Sequence, residues 1–258
     1  MAAGGSDDFA HLHVHTEYSM LDGASKVDEL LGEAARMGQP ALAITDHGYL
    51  FGAFDFWSSA QRHGVKPIIG LEAYVTPGTS RFDKTRVLWG EEHQRRDDVS
   101  ARGSYTHMTL LARDNRGLNN LFRLGSRASL EGQMGKWPRM DRELIATHAE
   151  GLIATTGCPS GEVQTRIRLG QYDEALRAAG ELQDIYGREN YYVELMDHGL
   201  DIERRVVKDL LRLAKDIGAP LLATNDSHYT RPDDVRTHEV MLALQSGSKL
   251  TEPTYDEG

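Results

Sequence analysis

Three histidines, His11, His13 and His15, alternate with Ala10, Leu12 and Val14 near the start of the chain. A period of two is the mark of a half-buried strand and sends all three imidazoles to one face. Groups of the same chemical kind follow later apolar runs. ALAIT runs into Asp46-His47, PIIGLE ends in Glu72, LIATT is followed by Gly157-Cys158-Pro159, and PLLAT by Asn225-Asp226-Ser227-His228. Asp22 sits in the loop after the first run, and His107 opens THMTLLA. Imidazole nitrogen, carboxylate oxygen and thiolate sulfur together make up the donor set for divalent cations. Each residue alone has an ordinary reading. A strand histidine is often a hydrogen-bonded core residue, Asp46 could cap a helix, and a free cysteine commonly packs as a small hydrophobe. An unpaired buried carboxylate at Glu72, in contrast, would cost several kcal/mol. The conjunction of His13, His15, Asp22, His47, Glu72, His107, Cys158, Asp226 and His228, with little lysine or arginine beside them, points to bound cations.

Those side chains need a frame that gathers them. Strand-like runs fall at 10–16, 41–45, 67–75, 106–112, 151–156, 191–196 and 220–224. Helical patterns lie between them. One begins at Ser25, with Asp28 three residues on as in a capping box, and ends at Gly38. A second, over 172–186, lines up Ala175, Leu176, Ala179, Leu182 and Tyr186, and a third lines up Ile202, Val206, Leu210, Leu213 and Ile217. Seven strand-then-helix units predict an α/β fold with a parallel sheet, closed into a distorted (β/α)7 barrel. The strands' C-terminal ends then share one rim, where sites on such barrels are built. His107 is the one ligand-type residue at the opposite end of its strand. The expected organisation is a single domain over 1–258, with barrel segments 9–76 and 105–246. Residues 77–104, polar and mixed in charge, read as a surface insertion, and 247–258 as a tail without periodicity.

The bulk numbers set limits. With 40% hydrophobic and 26% charged residues in 258, the chain can bury a sizeable core. No apolar stretch is long enough to span a bilayer and the start lacks a signal-peptide pattern, so no membrane partner is expected. A single cysteine forms no internal disulfide, which fits the cytoplasm. A net charge of −10 excludes a general nucleic-acid coat but not a nucleic-acid substrate, because bound cations would cancel charge where a phosphate sits.

The phrases HLHVHTEYSMLDG, ITDHGYLFGAFDF, KPIIGLEAYV, GLIATTGCPSGEV, YYVELMDHG and ATNDSHY resemble the polymerase and histidinol phosphatase (PHP) domain of bacterial DNA polymerase III alpha subunits. The resemblance runs over nearly the whole chain. It implies a PHP-type barrel holding three divalent metal ions. His13, His15 and Asp226 would hold one ion and share Glu72 with a second, which His107 and Cys158 complete; Asp22, His47 and His228 would hold the third. His13, His15, Asp22, Glu72 and Asp226 are the catalytic candidates. Cys158, where phosphatase members often carry histidine, favours zinc at its centre, with manganese or magnesium possible elsewhere. His11 is expected behind the ligands and Asp46 as a group orienting one of them. His63, His93, His148, His198 and His238 are expected in surface or packing roles.

The implied activity is a 3′–5′ exonuclease that proofreads during DNA replication. Its partners would be the DNA 3′ terminus, a polymerase module of the same parent chain and other replisome subunits, and the tail would mark the boundary toward that module. Two other readings compete: a phosphomonoesterase of the histidinol phosphatase type, and a non-catalytic, metal-stabilised scaffold for the polymerase or an exonuclease subunit.

Overall fold

The computed structural model describes residues 9–95 and 102–250, so part of the expected insertion and most of the expected tail lie outside the described residues. In chain order the elements begin with α1 (Val27–Arg36), β1 (Ala41–Ile44), α2 (Ala53–His63), β2 (Lys66–Val75), β3 (Thr106–Ala112) and α3 (Asn115–Gly132). There follow β4 (Gln133–Met134), β5 (Trp137–Met140), α4 (Arg142–Thr147), β6 (Leu152–Thr155) and α5 (Glu162–Arg168). The last are α6 (Tyr172–Tyr186), β7 (Tyr191–Leu195), α7 (Asp201–Ile217), β8 (Leu221–Ala223) and α8 (Val235–Ser246). The chain divides into two units, one of residues 1–46, 51–68 and 226–258, the other of residues 47–50 and 69–225. Among the described residues no helix is long and apolar enough to cross a membrane.

In the first unit the histidine-bearing segment does not form a ladder strand, yet it is hydrogen-bonded on both sides. The Ala43 and Thr45 N–H groups donate to the carbonyls of His11 and Val14, both at 2.9 Å. On the other side His15 N–H donates to Ser227 O at 2.8 Å, and Ser227 N–H donates to His13 O at 3.2 Å. His13, Val14, His15 and Thr16 are all buried. The alternation in sequence therefore separates two buried faces, not a wet face from a dry one. Helix α1 starts at Val27, later than its capping-box pattern predicts. Asp28 is drawn away to α2, where it accepts from Ser59 Oγ at 2.6 Å and Arg62 Nη2 at 2.8 Å. The Val27 N–H is met instead by Glu17 Oε1 at 3.2 Å. Leu30, Leu31, Leu42, Ile44, Phe56 and Ala60 are buried in this unit.

In the second unit the sheet order is β4-β5-β2-β3-β6-β7-β8. The α/β class is as expected, and the ladders among the described residues run as an open path. The direction of one strand differs from the expectation of an all-parallel sheet, since β3 is antiparallel to both β2 and β6. The reversal also explains the odd position of His107. At the start of β3 it pairs with Tyr74 near the end of β2, so a strand's first residues meet its neighbour's last. The β4–β5 hairpin, turning at Gly135, has no counterpart among the expected strands. Helices α6 and α7 end before Gly187 and Gly218 as their stripes predict, burying Ala175, Ala179 and Leu182 on one and Val206, Leu210 and Leu213 on the other. These join Leu71, Met108, Leu110, Leu121, Leu124 and Met140 in the apolar core of this unit.

The described part of the segment after β2 is anchored by charge. Arg81, only 4% exposed, donates from Nη1 to Asp141 at 2.9 Å and from Nε to Glu131 at 2.5 Å. Asp141 also caps α4 by accepting from Leu144 N–H at 3.0 Å. Arg139 is fully buried and its guanidinium donates to the carbonyls of Gly132, Ser104 and Asp83.

Candidate metal centre

The first unit brings His13, His15, Asp226 and His228 together. Both His13 Nε2 and His15 Nε2 face Asp226 Oδ1, at 3.3 and 3.1 Å. The protonation of His15 follows from its other nitrogen. Ser19 Oγ donates to Asp46 Oδ1 at 2.7 Å, so its lone pair accepts from His15 Nδ1, 2.8 Å away. With the proton on Nδ1, Nε2 carries the lone pair. A lone pair and a carboxylate oxygen 3.1 Å apart are two acceptors, and a cation between them resolves the conflict. Asp46 is itself held by Thr16, whose N–H and Oγ1 donate to it at 2.6 and 2.8 Å. It orients a candidate ligand through Ser19. His228 repeats the pattern: Nδ1 donates to the Asp226 carbonyl at 2.7 Å, which leaves Nε2 as the lone-pair nitrogen. The His228 ring stacks on that of His15 with centroids 4.2 Å apart.

Burial by itself would lift the Asp226 carboxyl. Positive charge facing it overrides that and holds it well below the carboxylate range: without a cation that charge comes from protonated His13, His228 and His15, and with one the ion takes their place. Asp226 takes φ +43°, a left-handed conformation rare outside glycine, in the loop between His228 and β8. Asp22 turns toward α8, where Oδ2 accepts from Gln245 Nε2 at 3.1 Å. His238, expected in a surface or packing role, lies beside both groups: its ring is 5.6 Å from that of His228, and burial lowers its pKa against the opposing pull of Asp22. No periodic signal in α8 marks it.

In the second unit His47, Glu72, His107 and Cys158 converge. The buried Glu72 carboxylate faces His47 Nδ1 at 2.6 Å on one oxygen and His107 Nδ1 at 2.9 Å on the other. Cys158 Sγ donates to the same Glu72 Oε1 at 3.2 Å and lies 3.4 Å from His107 Nδ1. Donor atoms of His47, Glu72 and His107 lie within 4.8 Å of one another, close enough to hold one ion. The His107 Nε2 is buried with no hydrogen-bond partner among the described residues. Two imidazoles, a carboxylate and a thiol fit a divalent cation, and the sulfur fits zinc best. The turn that delivers Cys158 depends on Gly157, at φ +76°, where a Cβ would also meet the His107 carbonyl at 3.1 Å. Its N–H donates to Thr155 Oγ1 at 3.0 Å.

Beneath this set lies Glu194, which the sequence reading passed over. Its buried carboxylate accepts from the hydroxyls of Thr109, Thr155 and Thr224. The signal available was a lone carboxylate in the apolar run YYVELM, with threonines at three other strand positions. His198, expected in a surface or packing role, bonds Glu203 Oε1 at 2.6 Å and the Asn225 carbonyl at 2.8 Å. His11 meets the Phe9 ring, His63 reaches Asp28, His148 bonds the Leu144 carbonyl, and His93 is exposed.

Known proteins resemble the chain over most of its length. DNA polymerase III subunit alpha of Mycobacterium tuberculosis is 58% identical over 252 residues, covering 98% of this chain and 21% of that protein. The subunit of Thermus aquaticus is 45% identical over 247 residues, covering 95% of this chain and 19% of that protein. The chain thus spans about a fifth of the curated relatives it matches. Among solved structures, an amidohydrolase from Chromobacterium violaceum with bound sulfate superposes with a TM-score of 0.47 at 16% identity, covering 90% of this chain and 96% of that one. The family model for the PHP domain matches residues 11–198, a span holding seven of the nine ligand-type residues named from sequence. On that match the chain belongs to the PHP domain family.

Proposed function

We propose that the chain is a metal-dependent phosphoesterase acting as a 3′–5′ DNA exonuclease, proofreading for a polymerase module of the same parent chain in the cytoplasm. The observation that carries this reading is the crowding of His47, His107 and Cys158 onto the Glu72 carboxylate, repeated in kind by His13 and His15 at Asp226. Such crowding of donor atoms is costly without a cation and expected with one. The ligands are His13, His15 and Asp226; Glu72, His107 and Cys158; and Asp22, His47 and His228. They serve three divalent ions, with zinc at Cys158 and manganese or magnesium tolerated where the donors are imidazole and carboxylate.

Divalent ions at such sites supply a water of lowered pKa and offset charge on the oxygens of a phosphodiester. The chain's own residues prepare the place. Ser19 and Asp46 hold the His15 proton on Nδ1, the Asp226 carbonyl holds that of His228 on Nδ1, and Cys158 serves as a ligand rather than a nucleophile. A recessed site of this kind receives a frayed end more readily than a paired one, which favours mispaired or single-stranded 3′ termini.

The test is a labelled primer incubated with the chain, with and without chelator, beside Asp22→Asn. Stepwise shortening from the 3′ end that needs both metal and Asp22 is the expected result. Cleavage of small phosphomonoesters with DNA left intact would assign the histidinol phosphatase type of activity. A fully metallated chain that cleaves neither would be a scaffold.

A further inference from the structure

In the second unit a line of rings runs outward from the candidate metal centre. Tyr105 directly precedes β3, and alternation about Thr106 sends it to the same side of the chain as His107. The two rings lie nearly parallel, at 7°, with centroids 5.1 Å apart. Trp137, the first residue of β5, continues the line with its ring centroid 5.1 Å from that of Tyr105. The hairpin that carries Trp137 is seated on the turn after His47. There a Cβ at Gly48 would meet Pro138 Cγ and the Tyr74 ring, both at 2.8 Å, so a glycine is needed for turn and hairpin to approach this closely. On the other arm of the hairpin Gln133 Oε1 accepts from Tyr49 Oη at 3.4 Å.

The outer rings of this line are not core. Tyr74 is buried, whereas Tyr105 and Trp137 stay half-buried, and among the described residues neither joins the apolar core of the unit. Tyr105 packs against His107, Tyr74 and Trp137, which makes it the backing of the row. Trp137 is the outermost ring, and Lys136 beside it is exposed at the tip of the hairpin. Sites for unpaired nucleic acid combine a fixed aromatic ring, on which any base can stack, with a cation for the backbone. The inner end of the row supplies the direction. It is His107, whose Nδ1 faces Glu72 at 2.9 Å, so a base on Trp137 lies two ring-to-ring steps from a candidate ligand.

From this geometry we infer that Trp137, backed by Tyr105, stacks the unpaired base at the 3′ end of a DNA strand and so positions that end beside the centre of Glu72, His107 and Cys158. The inference rests on the exonuclease reading for its substrate, but its test needs no catalysis. Binding of 5′-labelled single-stranded oligodeoxynucleotides is measured by fluorescence anisotropy in chelator. One oligonucleotide ends in a normal nucleotide and the other in an abasic deoxyribose. The abasic end is expected to bind at least about fivefold more weakly, the lower end of what one stacked base contributes. Trp137→Ala should lose the same factor with the normal end and nothing further with the abasic one, and Trp137→Phe should recover most of the preference for a base. Lost folding does not produce this pattern, because it weakens both oligonucleotides alike. No binding of either end by the parent chain, equal binding of the two, or a full abasic penalty kept by Trp137→Ala would overturn the inference. If the pattern is as expected and the chain never shortens DNA, the platform stands and the exonuclease reading falls. If the chain shortens DNA and Trp137→Ala keeps the penalty, the exonuclease reading stands and the platform falls.

Discussion

At the scale of single residues, the proton positions matter as much as the ligands. Ser19 touches no candidate ion, but it stands between Asp46 and His15 and decides which imidazole nitrogen carries the lone pair. Ser19→Ala removes that acceptor and frees the His15 ring to change tautomer or rotate. Loss of such an outer partner weakens metal binding roughly 10- to 100-fold. Metal retained against a graded chelator series should fall by that factor, with helix content by circular dichroism unchanged; retention equal to the parent chain would remove Ser19 from the relay. Much of this level was legible in sequence, because metal chemistry needs a few distinctive side chains and they stand out after apolar runs. Ser19 was not legible, since serine in a loop after a strand is ordinary. Neither was His238, which reaches Asp22 and His228 from a helix whose apolar pattern is weak.

At the scale of elements, strand existence was readable from apolar runs, and strand direction was not. β3 carries the same alternation whichever way it runs, and its reversal comes from the connection between β2 and β3, which no periodicity encodes. The charged anchors escaped for a related reason. Arg139 spends its donors on three backbone carbonyls, so there is no acidic partner in the sequence to reveal it. It joins the end of α3 to the segment after β2 through Gly132, Asp83 and Ser104. Arg139→Met keeps most of the volume but strands those carbonyls. Each buried acceptor left without a donor costs about 1–3 kcal/mol, offset in part because a buried guanidinium no longer needs desolvating. A net loss of about 2–4 kcal/mol should lower the melting temperature by about 4 to 16 °C in a chain of this size, read by calorimetry. A variant melting within a degree of the parent would show that water reaches these carbonyls.

Across the whole molecule, each unit carries its own crowd of acceptors, so on the proposed metal reading folding and metal binding are linked in both. Removing cations leaves Asp226 against two imidazoles in one unit and Glu72 against two imidazoles and a thiol in the other. A ligand present at 100 times its dissociation constant stabilises the native state by about 2.7 kcal/mol per site. Stripping the chain with chelator should therefore lower its melting temperature by several degrees or more. Returning zinc should restore it in proportion to the metal bound, measured together by calorimetry and elemental analysis. A melting temperature indifferent to chelator, with less than one ion per chain, would set aside the metal reading.

The pairing of an early and a late segment of the chain within the first unit has a consequence for how the protein is made. Val14 bridges to Ser227, and Gln245 reaches Asp22 across 223 residues of sequence. A ribosome adding about 5–20 residues per second needs tens of seconds to travel that far. Through that interval His13, His15 and Asp22 have emerged while Asp226 and His228 do not yet exist. The last candidate ligand of the second unit, Cys158, emerges well before them, although that unit itself runs to Asn225. A nascent chain therefore passes through a stage in which every candidate ligand of the second unit has been synthesised and the first unit has only its N-terminal share, so on the proposed metal reading translation limits which ion can enter first.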